Sequence, residues 1–133
     1  MSLRISLRDG EKMIVNGAIF RASGRTDLMI ENPAAVLRGR DIMAPNEAVT
    51  PAQKLYFACM MAYIHPDGLA AHQQEILAAL RTLMATQPGD AAQTLCVQFA
   101  THVASSDFYK ALAPCRRLIA LERELAEPPH CTA

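Results

Sequence analysis

The sequence predicts an α+β fold, in which an antiparallel β subdomain over residues 1–45 precedes a bundle of about four helices over residues 46–127. Three observations carry this prediction. The first residues alternate between apolar and polar side chains, an Asn-Gly pair separates two apolar runs, and from Thr50 onward the apolar residues recur with a helical period. Residues 128–133 contain two adjacent prolines and are expected to form a disordered tail.

The first strand is predicted over the segment LRISLR, where Leu3, Ile5 and Leu7 lie on one face and Arg4 and Arg8 on the other. Two further short strands are expected over DLMIE and AAVLR, because Gly and Pro turn signals bound each of these segments. The segments are too close together for helical crossovers, so the sheet should be antiparallel.

A β-hairpin is predicted around Asn16-Gly17, since both residues tolerate the positive φ angles of a two-residue turn. A loop of this length fixes the register of the two strands that it joins. The expected cross-strand pairs are Lys12 with Arg21, Met13 with Phe20, Ile14 with Ile19, and Val15 with Ala18.

The first helix should begin after Thr50, which is an N-cap residue followed by Pro51 at N1 and Gln53 at N3. It should end before Pro66. Three further helices are expected, with Asp67 capping the second, Asp90 the third, and one of residues 105–107 the fourth. Pro114 should kink the fourth helix or mark its boundary.

Composition allows a sizeable core, because 51% of the 133 residues are hydrophobic. The formal net charge is zero, with seven basic and five acidic residues in positions 1–43 and the opposite excess beyond them. Any affinity for nucleic acid must therefore come from a local basic patch rather than from the field of the whole protein.

The cysteines are expected to be unlinked and free of metal. Cys59, Cys96, Cys115 and Cys131 are far apart in the sequence and none forms a C-x-x-C pair. With no leader-like segment and no apolar run long enough to span a bilayer, the expected location is the reducing cytoplasm.

No catalytic site, metal site or cofactor is expected. Ser105, Ser106 and Asp107, together with His102, have the chemistry of a nucleophilic site, but Ser and Asp at a helix end usually serve as caps. The four histidines do not combine with the cysteines at the spacing of metal ligands.

Six basic residues are predicted to converge on the sheet and to contact RNA phosphates: Arg4, Arg8, Lys12, Arg21, Arg38 and Arg40. Arg4 and Arg8 would stand about 13 Å apart on one strand. Lys12 opposite Arg21 is destabilising unless an anion binds there, and Arg38 and Arg40 share a face if their strand continues through Gly39. The alternative is that the basic residues are solvated and form ion pairs with neighbouring carboxylates, including one between Arg38 or Arg40 and either Asp41 or a helix carboxylate that fixes the two subdomains together.

A second candidate surface lies on the first helix, whose segment LYFACMMAYI carries more apolar residues than one core-facing stripe needs. Tyr56, Met60 and Tyr63 are predicted to line a methionine-rich groove for a protein partner. The alternative is that this helix is sandwiched between the sheet and the other helices.

Four motifs follow one another over residues 3–57: the opening LRDGEK, then NGA, VLRGRDIM and TPAQKLYF. Through these motifs, in this order, the chain resembles the FlbT family of flagellum biosynthesis repressors. The helical remainder, including SSDFYKALAPCRRLI, is compatible with the family over nearly the full length.

The resemblance implies a post-transcriptional regulator that binds the 5′ untranslated region of flagellin mRNA and promotes its degradation, alongside the protein FlaF. Some relatives act as activators, so the direction of regulation stays open. The alternative is a chaperone-like adaptor that engages flagellin or FlaF and acts on the mRNA indirectly. Neither reading involves a membrane, and the oligomeric state is left open.

Overall fold

The computed structural model describes residues 3–87 and 89–126 of the chain. Its elements confirm the predicted α+β class: five short strands precede four helices. The strands are β1 (Leu3–Leu7), β2 (Lys12–Val15), β3 (Ala18–Arg21), β4 (Thr26–Ile30) and β5 (Val36–Arg38), and the helices are α1 (Pro51–Ile64), α2 (Leu69–Thr86), α3 (Asp90–Ala104) and α4 (Phe108–Ala126). The tail predicted over residues 128–133, including Cys131, lies outside the described residues.

The strands form two antiparallel sheets rather than one. The first sheet pairs β1 with β4, and the second has the order β3-β2-β5. The β2–β3 register is the predicted one, with Lys12 opposite Arg21 and Val15 opposite Ala18. At the turn, Asn16 and Gly17 have φ angles of 50° and 88°, which are the positive values that their residue types tolerate.

Alternate residues of β2 place the second sheet between two apolar clusters. Met13 packs with Ile5 and Leu7 of β1, whereas its neighbour Ile14 packs with the core of the helices. Successive side chains of a strand point to opposite faces, so one strand serves both layers. The order of layers is therefore the β1–β4 sheet, the β3-β2-β5 sheet and the helices.

Helix α1 is the central element of the helical part. It begins with the predicted capping box, in which the Thr50 hydroxyl accepts a hydrogen bond from the Gln53 amide and the Gln53 side chain bonds back to Thr50. Eight of its 14 residues are buried, as expected for a helix that is packed on several sides. This helix contacts α2, α4 and the second sheet, which matches the sandwiched alternative.

Two predicted helix caps were wrong. Asp67 does not cap α2, because it lies in a short 3₁₀ turn (Pro66–Gly68) and Gly68 occupies the N-cap position. Asp90 is the first residue of α3, and Gly89 occupies its N-cap position. Pro114 does not mark a boundary of α4, which continues through it. Pro114 is itself buried between the fully buried side chains of Leu112 and Cys115, so packing offsets the hydrogen bond that a proline removes. None of the described helices is long and apolar enough to cross a membrane.

Candidate functional site

The basic residues of the first 40 positions are exposed and lack contact ion pairs with the residues that the structure describes. They are Arg4, Arg8, Lys12, Arg21, Arg25, Arg38 and Arg40. The two ion pairs found in the described ranges, Asp107 with Lys110 and Asp41 with Arg116, involve none of them. The predicted alternative, that neighbouring carboxylates neutralise these side chains, therefore does not describe this surface.

The acidic neighbours are instead engaged with other groups. Asp9 accepts a hydrogen bond from the Gly24 amide at 2.7 Å, and Glu11 accepts one from the Arg8 amide at 2.9 Å. The carboxylate of Asp27 accepts a hydrogen bond from the hydroxyl of Ser6 at 2.7 Å. Asp9 and Glu11 thus fix turns and Asp27 joins two strands, so the N–H groups of the nearby guanidinium groups are not engaged by these carboxylates and are available to a ligand.

Three arginines surround one cleft at the edge of the β layers. The cleft has a volume of about 870 Å³ and is lined by Ser6, Leu7, Arg8, Asp9, Gly10, Glu11, Arg25 and Arg38. Arg8 follows β1, Arg25 precedes β4 and Arg38 ends β5, so three separate segments contribute to it. We call this cleft, with Arg8, Arg25 and Arg38 in its lining, the arginine cleft.

Arg38 is the arginine of the cleft whose side chain is held in place by a hydrogen bond to the backbone. Its Nη2 donates a hydrogen bond of 2.8 Å to the backbone carbonyl of Ser6, which joins β5 of one sheet to β1 of the other. A guanidinium carries five N–H donors, so this bond leaves most of them for a ligand. Arg38 thus serves the fold and the cleft together, whereas Arg8 and Arg25 are free of such a role within the described residues.

The other four predicted basic residues lie apart from the cleft. Arg4 pairs across strands with Met29, on the face of the first sheet opposite Ile5. Lys12 and Arg21 face each other, but on the side of the second sheet opposite Arg38, whose strand neighbour is Met13. The convergence of all six on one face is therefore wrong.

Arg40 does not share a strand face with Arg38. Strand β5 ends at Arg38, and Gly39–Asp41 form a 3₁₀ turn. Arg40 instead borders a small cavity of about 190 Å³ together with Glu47, Tyr56 and Arg116. The condition under which Arg38 and Arg40 would share a face, a strand that continues through Gly39, is therefore not met.

Asp41 joins the strands to the helices, but its ionic partner is Arg116 of α4 rather than Arg38 or Arg40. The Tyr56 hydroxyl donates a hydrogen bond of 2.7 Å to the Asp41 carbonyl, and Arg116 Nη2 donates one of 3.3 Å to that hydroxyl. The Arg116 guanidinium also lies 5.6 Å from the centre of the Tyr56 ring. Burial raises the pKa of Tyr56, although Arg116 acts in the opposite direction.

Two of the three residues predicted to bind a protein partner are inside the molecule. Tyr56 and Met60 are 4% and 2% exposed. Met60 Sδ accepts a hydrogen bond from the Met43 amide, and the hydroxyl of the half-buried Tyr63 accepts one from the Val36 amide at 3.0 Å. These side chains attach the sheet and the following loop to α1, so they do not form an exposed groove that a protein partner could enter.

The polar residues before α4 serve as helix-end groups. Asp107 accepts a hydrogen bond from the Lys110 amide at 3.2 Å, and the Ser105 hydroxyl donates one to the Thr101 carbonyl. This is the geometry of capping rather than of a nucleophile held by a base.

Arg25 is a member of the cleft that was not among the predicted basic residues. It lies in a turn, so the strand pattern assigns it to no face. The Ser23-Gly24 turn signal was the available clue, since the Gly24 amide bonds to Asp9 and so brings Arg25 beside Arg8.

Residues 3–126 match the family model described as "Flagellar protein FlbT". The protein named "Flagellum biosynthesis repressor protein FlbT" of Caulobacter vibrioides (strain ATCC 19089 / CIP 103742 / CB 15) is 36% identical over 125 residues, which cover 93% of this chain and 89% of the relative. Two proteins named "Probable flagellum biosynthesis repressor protein FlbT" are also similar. The one from Caulobacter sp. (strain K31) is 37% identical, with 92% of this chain and 94% of the relative covered. The one from Rhodopseudomonas palustris (strain TIE-1) is 30% identical, with 94% and 98% covered. No solved structure gives a significant match.

Proposed function

Since the chain belongs to the FlbT family of flagellar proteins, we propose that it regulates flagellum biosynthesis by binding the 5′ untranslated region of flagellin mRNA. The bound message is then degraded by a recruited nuclease. The arginine cleft is the proposed contact for the RNA backbone. The names of the relatives support a regulatory role in flagellum synthesis, and the cleft supports an anionic ligand.

The observation that carries the proposal is the set of exposed arginines whose neighbouring carboxylates are bonded elsewhere. A phosphate diester requires positive charge and N–H donors at one place, and guanidinium groups supply both in a planar fork. Arg8 and Arg25 bring two such groups to the cleft. The third group belongs to Arg38, which is hydrogen-bonded to the Ser6 carbonyl. A cleft of about 870 Å³ has room for more than one nucleotide.

The proposed recognition relies on the RNA backbone and shape more than on base stacking. Proteins that bind single strands without sequence preference combine a basic groove with several aromatic rings on which the bases stack. Of the strand residues that the structure describes, Phe20 is the one exposed aromatic. We therefore expect strong salt dependence and modest discrimination among bases.

The test is fluorescence anisotropy of a labelled flagellin leader RNA titrated with the purified chain at several salt concentrations. The slope of log K against log salt is negative, and each phosphate contact to a single strand contributes about −0.7 to it. Arg8→Ala combined with Arg25→Ala should therefore make the slope less steep by about 1.4. Arg38 is left intact because its bond to Ser6 also serves the fold.

The matched control replaces two exposed arginines of α4, Arg117→Ala and Arg123→Ala, which removes the same charge at a distance from the cleft. The slope should stay at the wild-type value in this variant. An equal loss in both double variants would assign binding to net charge alone, and a wild-type chain that does not bind the leader would overturn the proposal.

The adaptor function remains the second candidate because the helices expose apolar side chains. Leu77 and Met84 of α2 are 54% and 55% exposed and stand seven residues apart, on one side of the helix. An adaptor would capture FlaF or flagellin in the presence of ribonuclease and lose them on Leu77→Glu with Met84→Glu. RNA binding that survives this variant favours the first proposal.

A further inference from the structure

The outer strand of the second sheet, β3, is exposed along its whole length. All four residues, Ala18–Arg21, are exposed, and the two central side chains are apolar, with Ile19 70% and Phe20 48% exposed. Their cross-strand partners Met13 and Ile14 are almost fully buried. Strand β3 therefore extends beyond the layers that cover β2.

The free backbone groups of β3 belong to Ile19 and Arg21. A two-residue hairpin makes its flanking residues, Val15 and Ala18, a hydrogen-bonded pair. The Ala22 amide bonds back to the Glu11 carbonyl at 2.9 Å, which places the even-numbered residues of this strand on the inner side. The amides and carbonyls of Ile19 and Arg21 consequently face outward, and no described residue forms a backbone hydrogen bond with them.

The centre of this edge carries little of the usual protection against pairing. Natural edge strands are kept short or carry charges, prolines or bulges that prevent addition of another strand. β3 is short, with four residues, but Ile19 and Phe20 at its centre are apolar and its one charged residue, Arg21, is at the end. An apolar edge with free N–H and C=O groups is complementary to a second strand of the same kind.

We propose that β3 pairs antiparallel with β3 of a second copy of this chain, with Ile19 opposite Arg21 of the other copy and Phe20 opposite its own counterpart on the two-fold axis. The pairing would join two three-stranded sheets into one of six strands. It concerns self-association alone and does not depend on the RNA function proposed above.

The register follows from the positions of the outward groups. Placing Ile19 opposite Arg21 uses both outward residues of each strand. Placing Ile19 opposite Ile19 would instead require Gly17 of the turn to pair with Arg21. Placing Arg21 opposite Arg21 sets like charges directly against each other, which is destabilising.

The proposed pairing puts the two Phe20 rings next to each other on one face. A pair that does not exchange hydrogen bonds has its Cβ atoms about 4.5–5.5 Å apart, which suits an aromatic contact. On the other face, the Arg21 residues of the two copies are diagonal neighbours at about 7–8 Å, and Lys12 lies one strand further from the axis in each copy. Their repulsion should be screened by salt, so dimerisation should strengthen as salt rises.

The expected complex is reversible. Two four-residue strands bury far less than the roughly 1,200 Å² of the smallest standard protein interfaces. Sedimentation equilibrium over a range of concentrations into the millimolar range should therefore show a monomer–dimer equilibrium. A chain that stays monomeric throughout this range, at low and high salt, would overturn the proposal.

Oxidative cross-linking tests the register. Phe20→Cys should form a covalent dimer readily, because its two thiols would meet across the axis, whereas Ile19→Cys should not, since residue 19 lies opposite residue 21. Wild-type protein measures the background from its native cysteines. Cross-linking through Ile19→Cys in preference to Phe20→Cys would refute this register.

A proline substitution tests the backbone contact. Ile19→Pro removes an outward N–H and should abolish the dimer while leaving the β2–β3 hydrogen bonds intact. Ile19→Thr is the matched control, because it also shortens the apolar side chain but keeps the N–H, and it should retain cross-linking through Phe20→Cys. Circular dichroism checks that both variants are folded. Dimerisation of a folded Ile19→Pro variant would contradict the proposal.

Discussion

The contact between Tyr56, Asp41 and Arg116 makes a specific prediction about how the sheet and its following turn are held to the helices. Tyr56→Phe keeps the ring and removes only the hydroxyl, which donates to the Asp41 carbonyl at 2.7 Å and accepts from Arg116 at 3.3 Å. Tyr56 is 4% exposed, so water cannot readily replace the lost partners. The change therefore isolates two hydrogen bonds across a junction between distant parts of the chain.

The expected cost is about 1–2 kcal/mol in the free energy of unfolding, because each hydrogen bond contributes about 0.5–1.5 kcal/mol and the longer one is the weaker. With a urea dependence of about 2 kcal/mol per molar, the unfolding midpoint should fall by roughly 0.5–1 M. The measurement is urea unfolding followed by circular dichroism. Tyr109→Phe is the matched control, since Tyr109 is 46% exposed, and it should cost less than about 0.5 kcal/mol.

A double-mutant cycle separates the role of Arg116. Combining Tyr56→Phe with Arg116→Met should show a coupling energy of at least about 0.5 kcal/mol, because Arg116 donates a hydrogen bond to the hydroxyl that Tyr56→Phe removes. A Tyr56→Phe variant as stable as the Tyr109→Phe control would refute the reasoning that the hydroxyl joins the two parts. Purely additive effects would show that Arg116 does not act through the Tyr56 hydroxyl.

Two further predictions concern the helical core. Glu122 of α4 accepts hydrogen bonds from the Thr50 hydroxyl and from the Ala52 amide at 3.0 Å, so Glu122→Gln should lower the free energy of unfolding by about 1–2 kcal/mol. The exposed Glu124→Gln is its control in the same urea measurement, and equal effects would contradict the capping role. Burial raises the pKa of the Cys59 thiol from 9.0 to about 12, so the folded state disfavours the thiolate. Its contribution to stability should be complete below pH 9 and should be lost between pH 9 and about 12, at up to about 1.4 kcal/mol per pH unit. Cys59→Ala should flatten that decline in pH-dependent unfolding, and an unchanged slope would show that the thiol is not responsible.

The local elements could be predicted from the sequence, because short-range chemistry specifies them. Asn16-Gly17 permits one tight turn, and that turn set the β2–β3 register residue by residue. Thr50 and Gln53 cap α1 as their spacing predicted. The local errors arose where two signals competed: Asp67 and Gly68 both suit a helix start, and Gly39 permits either a continuing strand or a turn.

Which side chains share a site could not be predicted, because periodicity assigns a residue to a face but does not say what covers that face. Arg38 and Ser6 are 32 positions apart and Arg116 and Asp41 are 75 apart, and both contacts depend on how the layers stack. The burial of Met60 has the same origin, since the sheet and the other helices enclose α1. Arg25 reaches the cleft through a bond between two turns, and such a contact has no period for a sequence pattern to reveal.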